Sequence, residues 1–344
     1  MLKKLLYSKD VDKILQILSS TSKAGVPLNE AVDDLLKSPN INKKQKEILL
    51  EIRKGMRTGK NLKGLSKYIS SDEYTLLNTY YTANRFAEGI EKVMTLKKLK
   101  KETVSGIISA VTYPTIIFIM LIIMLKYINV HVMPILDHIA GGEEKLKQAS
   151  SAMSFFLWLS QNSTLIIMVS TIVLLIILYF VVINKVFGEI RKKIDNFFPF
   201  SIYRLYIGTV YLFMLSSLLQ SGLILTEAIT VAAGNSKYLK NISKDILRRL
   251  KTSDNFGEAL KETRWFIPDK DFVELAVIIS TKQGFDEKLR LIANEYIENL
   301  QKRIKKTIGI LSNVILIVVG LLIMLFTASV YSLISNITAH VGGM

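Results

Sequence analysis

The sequence contains no cysteine. Disulfides, thiolate nucleophiles and cysteine-ligated metals are therefore excluded, and the redox compartment leaves no mark. Signatures of catalysis are missing too. There is no phosphate-binding loop with Gly-Lys-Ser/Thr, no two-glycine dinucleotide fingerprint, no serine elbow and no paired-histidine helix. No catalytic residue and no cofactor is expected, so the chain is not read as an enzyme. Histidine is rare, at His131, His138 and His340. A helix would put His131 and His138 on one face with Asp137 adjacent, but no tight ligand spacing joins them and no metal site is assigned. Residues Met1 to Asp10 lack a sustained apolar core followed by a small-residue cleavage site, so no secretory signal is expected.

Charge is absent from three long stretches, Ile107–Leu125, Leu165–Ile183 and Leu311–Ile334. Each is long enough for a hydrocarbon core of ~30 Å, which takes about 20 apolar residues at ~1.5 Å each. Ion or proton translocation normally needs an ionisable group inside the membrane, and these spans offer none.

What is present is an excess of positive charge, 45 Lys and Arg against 29 Asp and Glu in 344 residues. It sorts by segment, with 21 basic residues in 1–106, 3 in 126–163, 21 in 184–307 and none from Ser335 onward. Clusters flank the spans: Lys97, Lys98, Lys100 and Lys101; Lys185, Arg191, Lys192 and Lys193; Lys302, Arg303, Lys305 and Lys306. Basic residues beside spans stay cytoplasmic, where each gains roughly 1 kcal/mol from anionic headgroups. No nucleic-acid motif accompanies them, so the bilayer and not a nucleic acid is the expected partner. The fold expected is an all-α integral membrane protein with two repeated cytoplasmic helical-bundle domains and three transmembrane helices. Its boundaries are a cytoplasmic domain at 1–106, a span at 107–128, an external loop at 129–163 and a span at 164–183. A second cytoplasmic domain at 184–307, a span at 308–334 and an external tail at 335–344 complete it. Phe155, Phe156 and Trp158 read as an interfacial aromatic belt.

The repeat is carried by residues 15–31, LQILSSTSKAGVPLNEA, set against 212–228, LFMLSSLLQSGLILTEA. The matches include Leu15/Leu212, Leu18/Leu215, Ser19/Ser216, Ser20/Ser217, Gly25/Gly222, Leu28/Leu225, Glu30/Glu227 and Ala31/Ala228. Thr58–Leu62 then answers Thr252–Phe256, and Lys97–Lys101 answers Lys302–Lys306, in the same order, as a direct duplication would give. Each copy reads as a helical hairpin. Val11, Ile14, Leu15 and Leu18 form one apolar stripe, and Gly25 and Gly222 sit where a left-handed residue ends a helix. Pro27 suits the first turn of the next helix, and Glu30 and Glu227 favour its positive end. The last helix of each copy is expected to run on into a span, with Pro114 kinking the first.

These features resemble the inner-membrane platform family of type IV pilus assembly and type II secretion, the secretion F-proteins. The match rests on Leu-Ser-Ser…Gly-x-x-Leu-x-Glu-Ala at Leu18–Ala31 and Leu215–Ala228, and on Tyr113-Pro114 at the start of span one. Two features depart from the pattern. The acidic glycine-containing turns are degraded to Asn84–Gly89 and Lys282–Glu287, and no long extension precedes the first domain, which begins by about Val11. The resemblance implies a bacterial inner-membrane protein, multi-pass, with its N-terminus cytoplasmic and its C-terminus periplasmic. It also implies as partners a hexameric assembly ATPase, pilin subunits, other inner-membrane assembly proteins and further copies of itself in a homo-oligomer. A transporter or channel component is the alternative, needing a polar path that three charge-free spans supply only by oligomerising.

Overall fold

A computed structural model describes residues 7–58, 62–132, 188–253 and 255–341, with scattered positions from 134 to 186. Among the described residues the protein is all-helical, without strands. It divides into two compact units, Met1–Val104 with Val186–Gln301, and Ser105–Lys185 with Lys302–Met344.

The first unit opens with α1 (Ser8–Lys23), α2 (Leu28–Lys37) and α3 (Lys43–Arg57), then a 3-10 turn at Lys63–Lys67, α4 (Ser71–Thr82) and the start of α5 (Phe86–Tyr127). After the short α6 (Glu189–Ile194) come α7 (Phe200–Gln220), α8 (Leu225–Ala232), α9 (Lys237–Arg249), α10 (Phe256–Thr263), α11 (Lys270–Ser280) and α12 (Phe285–Val341). The series α1 to α5 and the series α7 to α12 run through the same order, with the 3-10 turn in the place of α10. Local chemistry sets the starts. Asn42 and Gln45 form a capping box on α3, and Ser70 and Glu73 form another on α4. Asn255 accepts from the Glu258 N–H at 3.0 Å, and Asp269 from the Phe272 N–H at 2.9 Å. Each such cap is worth about 1 kcal/mol.

The stripe Val11, Ile14, Leu15 and Leu18 of α1 is fully buried, as are Ile48, Leu49 and Ile52 of α3. In α7 burial reaches every residue from Gly208 to Leu218. A helix that is apolar on all sides lies either in a core or in lipid. Two stretches among the described residues are long and apolar enough to cross a membrane, α7 and the Phe285–Ser332 part of α12. Burial separates them. Neighbouring helices cover most of α7, which is a core helix, whereas the apolar stretch of α12 is uncovered. Tight helix crossings complete this core. A Cβ on Gly257 would stand 2.4 Å from the Val277 nitrogen of α11, and one on Gly208 2.6 Å from the Cα of Pro268.

The second unit contains the later part of α5, which continues into a π-helical turn at Ile128–Val132, and the later part of α12. The chain stays helical through Pro114, although proline cannot donate the N–H that residue Ala110 would receive. Ile108, Ile116, Ile119, Met120 and Ile123 on α5 are exposed, as are Ile310, Val314, Ile317, Leu321 and Met324 on α12. The apolar stretch of α12 is long enough to cross a membrane, where a helix satisfies its own backbone, and that of α5, Thr115–Met124, is shorter. The expected span Leu165–Ile183 lies largely outside the described residues; of its described positions Leu174, Leu178 and Val181 are exposed, Tyr179 and Val182 half-buried and Ile183 buried. Of the expected aromatic belt, Phe155 and Phe156 lie outside the described residues and Trp158 is exposed.

The crossing of α10 and α11 makes a direct test. Gly257→Ala should cost about 1–3 kcal/mol through backbone overlap, read as a lower melting temperature of the detergent-solubilised protein, while Gly106→Ala, which meets nothing within 4 Å, should leave it unchanged.

Candidate functional site

The motif residues build two turns with the same hydrogen bonds. After α1, Gly25 takes φ +82°, its N–H donates to the Ser22 carbonyl at 3.1 Å, and the Val26 N–H donates to the Thr21 carbonyl at 3.0 Å. After α7, Gly222 takes φ +98°, its N–H donates to Leu219 at 2.9 Å, and the Leu223 N–H donates to Leu218 at 3.2 Å. Both are Schellman ends, in which a left-handed residue lets the chain return to the last carbonyls. Leu18, Ala31, Leu215 and Ala228 are buried, Leu28 and Leu225 half-buried, and Glu30 and Glu227 exposed in the first turns of α2 and α8. Pro27 stands one residue earlier than expected, at the N-cap of α2, where its carbonyl accepts from the Ala31 N–H at 3.0 Å. Tyr113 is exposed on α5. The structure therefore keeps Tyr113-Pro114 in a different unit from the two turns.

Within the first unit the end of α7 is a meeting point of the two helix series. The fully buried Tyr80 on α4 donates its hydroxyl to the Ser217 carbonyl at 2.8 Å. Arg85, which follows α4, donates to the Gln220 carbonyl, pairs with Glu88, and lies 5.6 Å from the Tyr80 ring. The Ser217 carbonyl also accepts from the Ser221 N–H at 3.1 Å, so Tyr80 is its second donor, and the Arg85 cation at this end of α7 is favoured by the helix dipole. Asp72 at the other end of α4 sits against Gly234, where a Cβ would be 2.6 Å from its Oδ1, and accepts from Lys100 Nζ at 3.0 Å. Gln301 donates to Glu102 at 2.6 Å, tying α12 to α5. Burial pushes the Tyr80 and Tyr206 hydroxyls up to about 12, with Asp72 adding to the rise at Tyr206.

A second polar cluster lies around α6. Arg191 is fully buried, its Nε 2.7 Å from Asp195 Oδ1. The guanidinium is caged by the rings of Phe200, Tyr203 and Tyr238 at 5.4, 5.4 and 5.2 Å. Tyr238 donates its hydroxyl to Asp195 Oδ2 at 2.7 Å. Burial raises the Asp195 carboxyl above its ordinary range, against the Tyr238 hydrogen bond and the Arg191 charge, which lower it. Beside it, Lys192 Nζ reaches Glu189 at 2.7 Å and lies 5.0 Å from the Trp265 ring. This corrects the reading of the basic cluster after the second apolar run. Arg191 and Lys192 are tied into the first unit's own packing, while Lys185 and Lys193 are the exposed members. Linear charge counting misses the difference because it cannot see an aromatic cage assembled from α7 and α9. Lys97, paired with Asp12, and Lys100 are likewise engaged, whereas Lys98, Lys101, Lys302, Lys305 and Lys306 are exposed.

Two open clefts carry charge. One of about 300 Å³ lies between α2 and α3 and contains Asp33 and Arg53, paired at 2.7 Å. The other, about 360 Å³, is lined by Lys192, Asp245, Arg248, Arg249, Glu262 and Arg264 among others, with Arg248 2.5 Å and Lys192 3.7 Å from Asp245. In both clefts the bases outnumber the acids, so each keeps a positive excess after pairing. Sequence reasoning missed Tyr80, Arg85, Asp195 and Tyr238. Only Arg191 and Asp195, at i and i+4, carried a local signal.

Among the described residues the chain is all-helical, with one uncovered apolar stretch, in α12, long enough to cross a membrane. Residues 211–333, from α7 to the apolar part of α12, match the family model of the Type II secretion system (T2SS), protein F. That stretch includes the second copy of the motif, Leu215–Ala228, and the model is that of the family its motifs resemble. No curated protein matches it.

Breaking the buried pair should be costly. Asp195→Asn leaves the Arg191 charge uncompensated and should destabilise by about 3–5 kcal/mol, and the double variant Arg191→Met/Asp195→Leu by less, both measured by denaturant unfolding in detergent. The tyrosines predict the alkaline limit. Above about pH 10 the unfolded chain releases phenolic protons that folded Tyr80 and Tyr206 retain, so stability should fall between about pH 10 and 12. Tyr80→Phe should make that fall shallower in a series of melting curves against pH.

Proposed function

We propose that this chain is the inner-membrane platform protein of type IV pilus assembly or type II secretion, coupling a cytoplasmic assembly ATPase to pilin insertion into a filament. The observation that carries the reading is the F-protein match over α7–α12, in a chain whose α5 and α12 extend as uncovered apolar helices. The parallel order of the two helix series, with the same Schellman end after α1 and α7, supports two copies of one module. On this reading the first unit is cytoplasmic and meets a hexameric ATPase. The apolar helices cross the bacterial inner membrane three times, with the N-terminus inside and the C-terminus periplasmic. There they meet pilin helices, other inner-membrane assembly proteins and further copies of the chain. The chain hydrolyses nothing and needs no cofactor. It transmits motion generated by its partner, and the joint at Ser217 and Gln220 makes the two modules respond together.

Deletion of the gene should abolish surface filaments, or secretion, while pilin is still made and processed. Piliation or secretion unchanged in the deletion strain, scored by electron microscopy and by assay of secreted protein, would sink the reading.

A further inference from the structure

The turn that follows α6 exposes two adjacent aromatic rings on the first unit. Phe197 is 70% and Phe198 49% exposed, and Ile190 on α6 is 67% exposed. Large exposed apolar groups in succession on a soluble surface need a reason. The turn is built, not frayed. Its N–H groups are used, Asn196 to Lys193, Phe197 to Ile194 and Ser201 to Phe197. In the same segment Arg191 and Asp195 are buried instead, against Phe200, Tyr203 and Tyr238. Exposed Lys193 stands in the same segment, and the nearby Glu189 carboxylate is met by Lys192. In sequence the segment follows the charge-free run Leu165–Ile183 directly, with exposed Lys185 between.

We infer that Ile190, Phe197 and Phe198 form an interfacial anchor that inserts into the headgroup region of an anionic bilayer, with Lys193 on the lipid phosphates. Aromatic rings favour that layer, and apolar side chains there sit about 5–10 Å into the headgroup and acyl boundary. Continuity with an apolar run and positive charge select lipid as the occupant, rather than a protein. The inference rests on the membrane reading given above and adds a contact that holds part of the first unit against the bilayer.

The cysteine-free chain allows single labels. Full-length Phe197→Cys, Ile190→Cys, Lys240→Cys and Met324→Cys variants would each carry one nitroxide in vesicles of phosphatidylethanolamine and phosphatidylglycerol. Collision with oxygen and with a water-soluble nickel chelate would then be measured by electron paramagnetic resonance. Labels at 197 and 190 should favour oxygen over the chelate several-fold more than the label at 240, an exposed position of α9. That preference should weaken in phosphatidylcholine vesicles. Labels at 197 and 190 as open to the chelate as that at 240 would overturn the anchor, and so would protection from both reagents, which signals a protein contact. The label at 324, on the apolar stretch of α12, separates the two failures. If it meets oxygen while 197 and 190 meet water, the anchor alone falls, and if it too meets water, the membrane reading falls with it.

Discussion

The carbonyl end of α7 ties the two helix series of the first unit together. The last carbonyls of a helix lie beyond its own ladder; here the turn takes those of Ser217, Leu218 and Leu219 through the Ser221, Leu223 and Gly222 N–H groups, and Tyr80 and Arg85 of the other series reach Ser217 and Gln220. A buried hydroxyl to carbonyl bond is worth about 1 kcal/mol net, and the Ser217 carbonyl keeps the Ser221 N–H at 3.1 Å with or without it. The contact is therefore more a constraint than a source of energy. It fixes where α4 meets α7, and the apolar burial along Leu212–Leu218 supplies the stability, at roughly 1.5–3 kcal/mol per large side chain.

The Arg191 cage is a different kind of constraint. Desolvating an ion pair offsets much of its attraction, and the cage returns part of this through three ring faces and the Tyr238 hydrogen bond. It joins α6 to α7 and α9. Ile190, Lys193, Phe197 and Phe198 are exposed while Arg191 and Asp195 are buried. A charge that linear counting gives to the membrane surface is spent in the core, and apolar rings that a core would normally claim are left outside.

On the proposed function these two constraints have a mechanical sense. A chain that transmits force between a motor and a bilayer needs helices that act as one body. The tie at α7 and the cage at α6 both remove freedom from the first unit. The clefts between α2 and α3 and beside α9 and α10 offer paired charges, a surface chemistry suited to reversible protein contacts.

The helical class, the α1 stripe and the apolar stretches of α5 and α12 were legible in the sequence, because they depend on local periodicity and run length. So were the hairpin turns, since a glycine at the end of an apolar period has few other uses. The repeat also shows where legibility ends. The segments 15–31 and 212–228 share their motif and their backbone bonds, yet Gln16 and Ser20 are exposed where Phe213 and Ser217 are buried. Composition hints at this through Phe213, but nothing local in Ser217 says that Tyr80, 137 residues away, will reach its carbonyl. Likewise α7 has the length and hydropathy of a membrane helix, and only its neighbours make it a core helix. The sequence by itself determined which segments are helical, where they stop and which are apolar, because those properties are settled within a few turns. The tertiary structure decided which apolar helix is covered by protein and which charge is caged, because both depend on contacts between residues far apart in the chain.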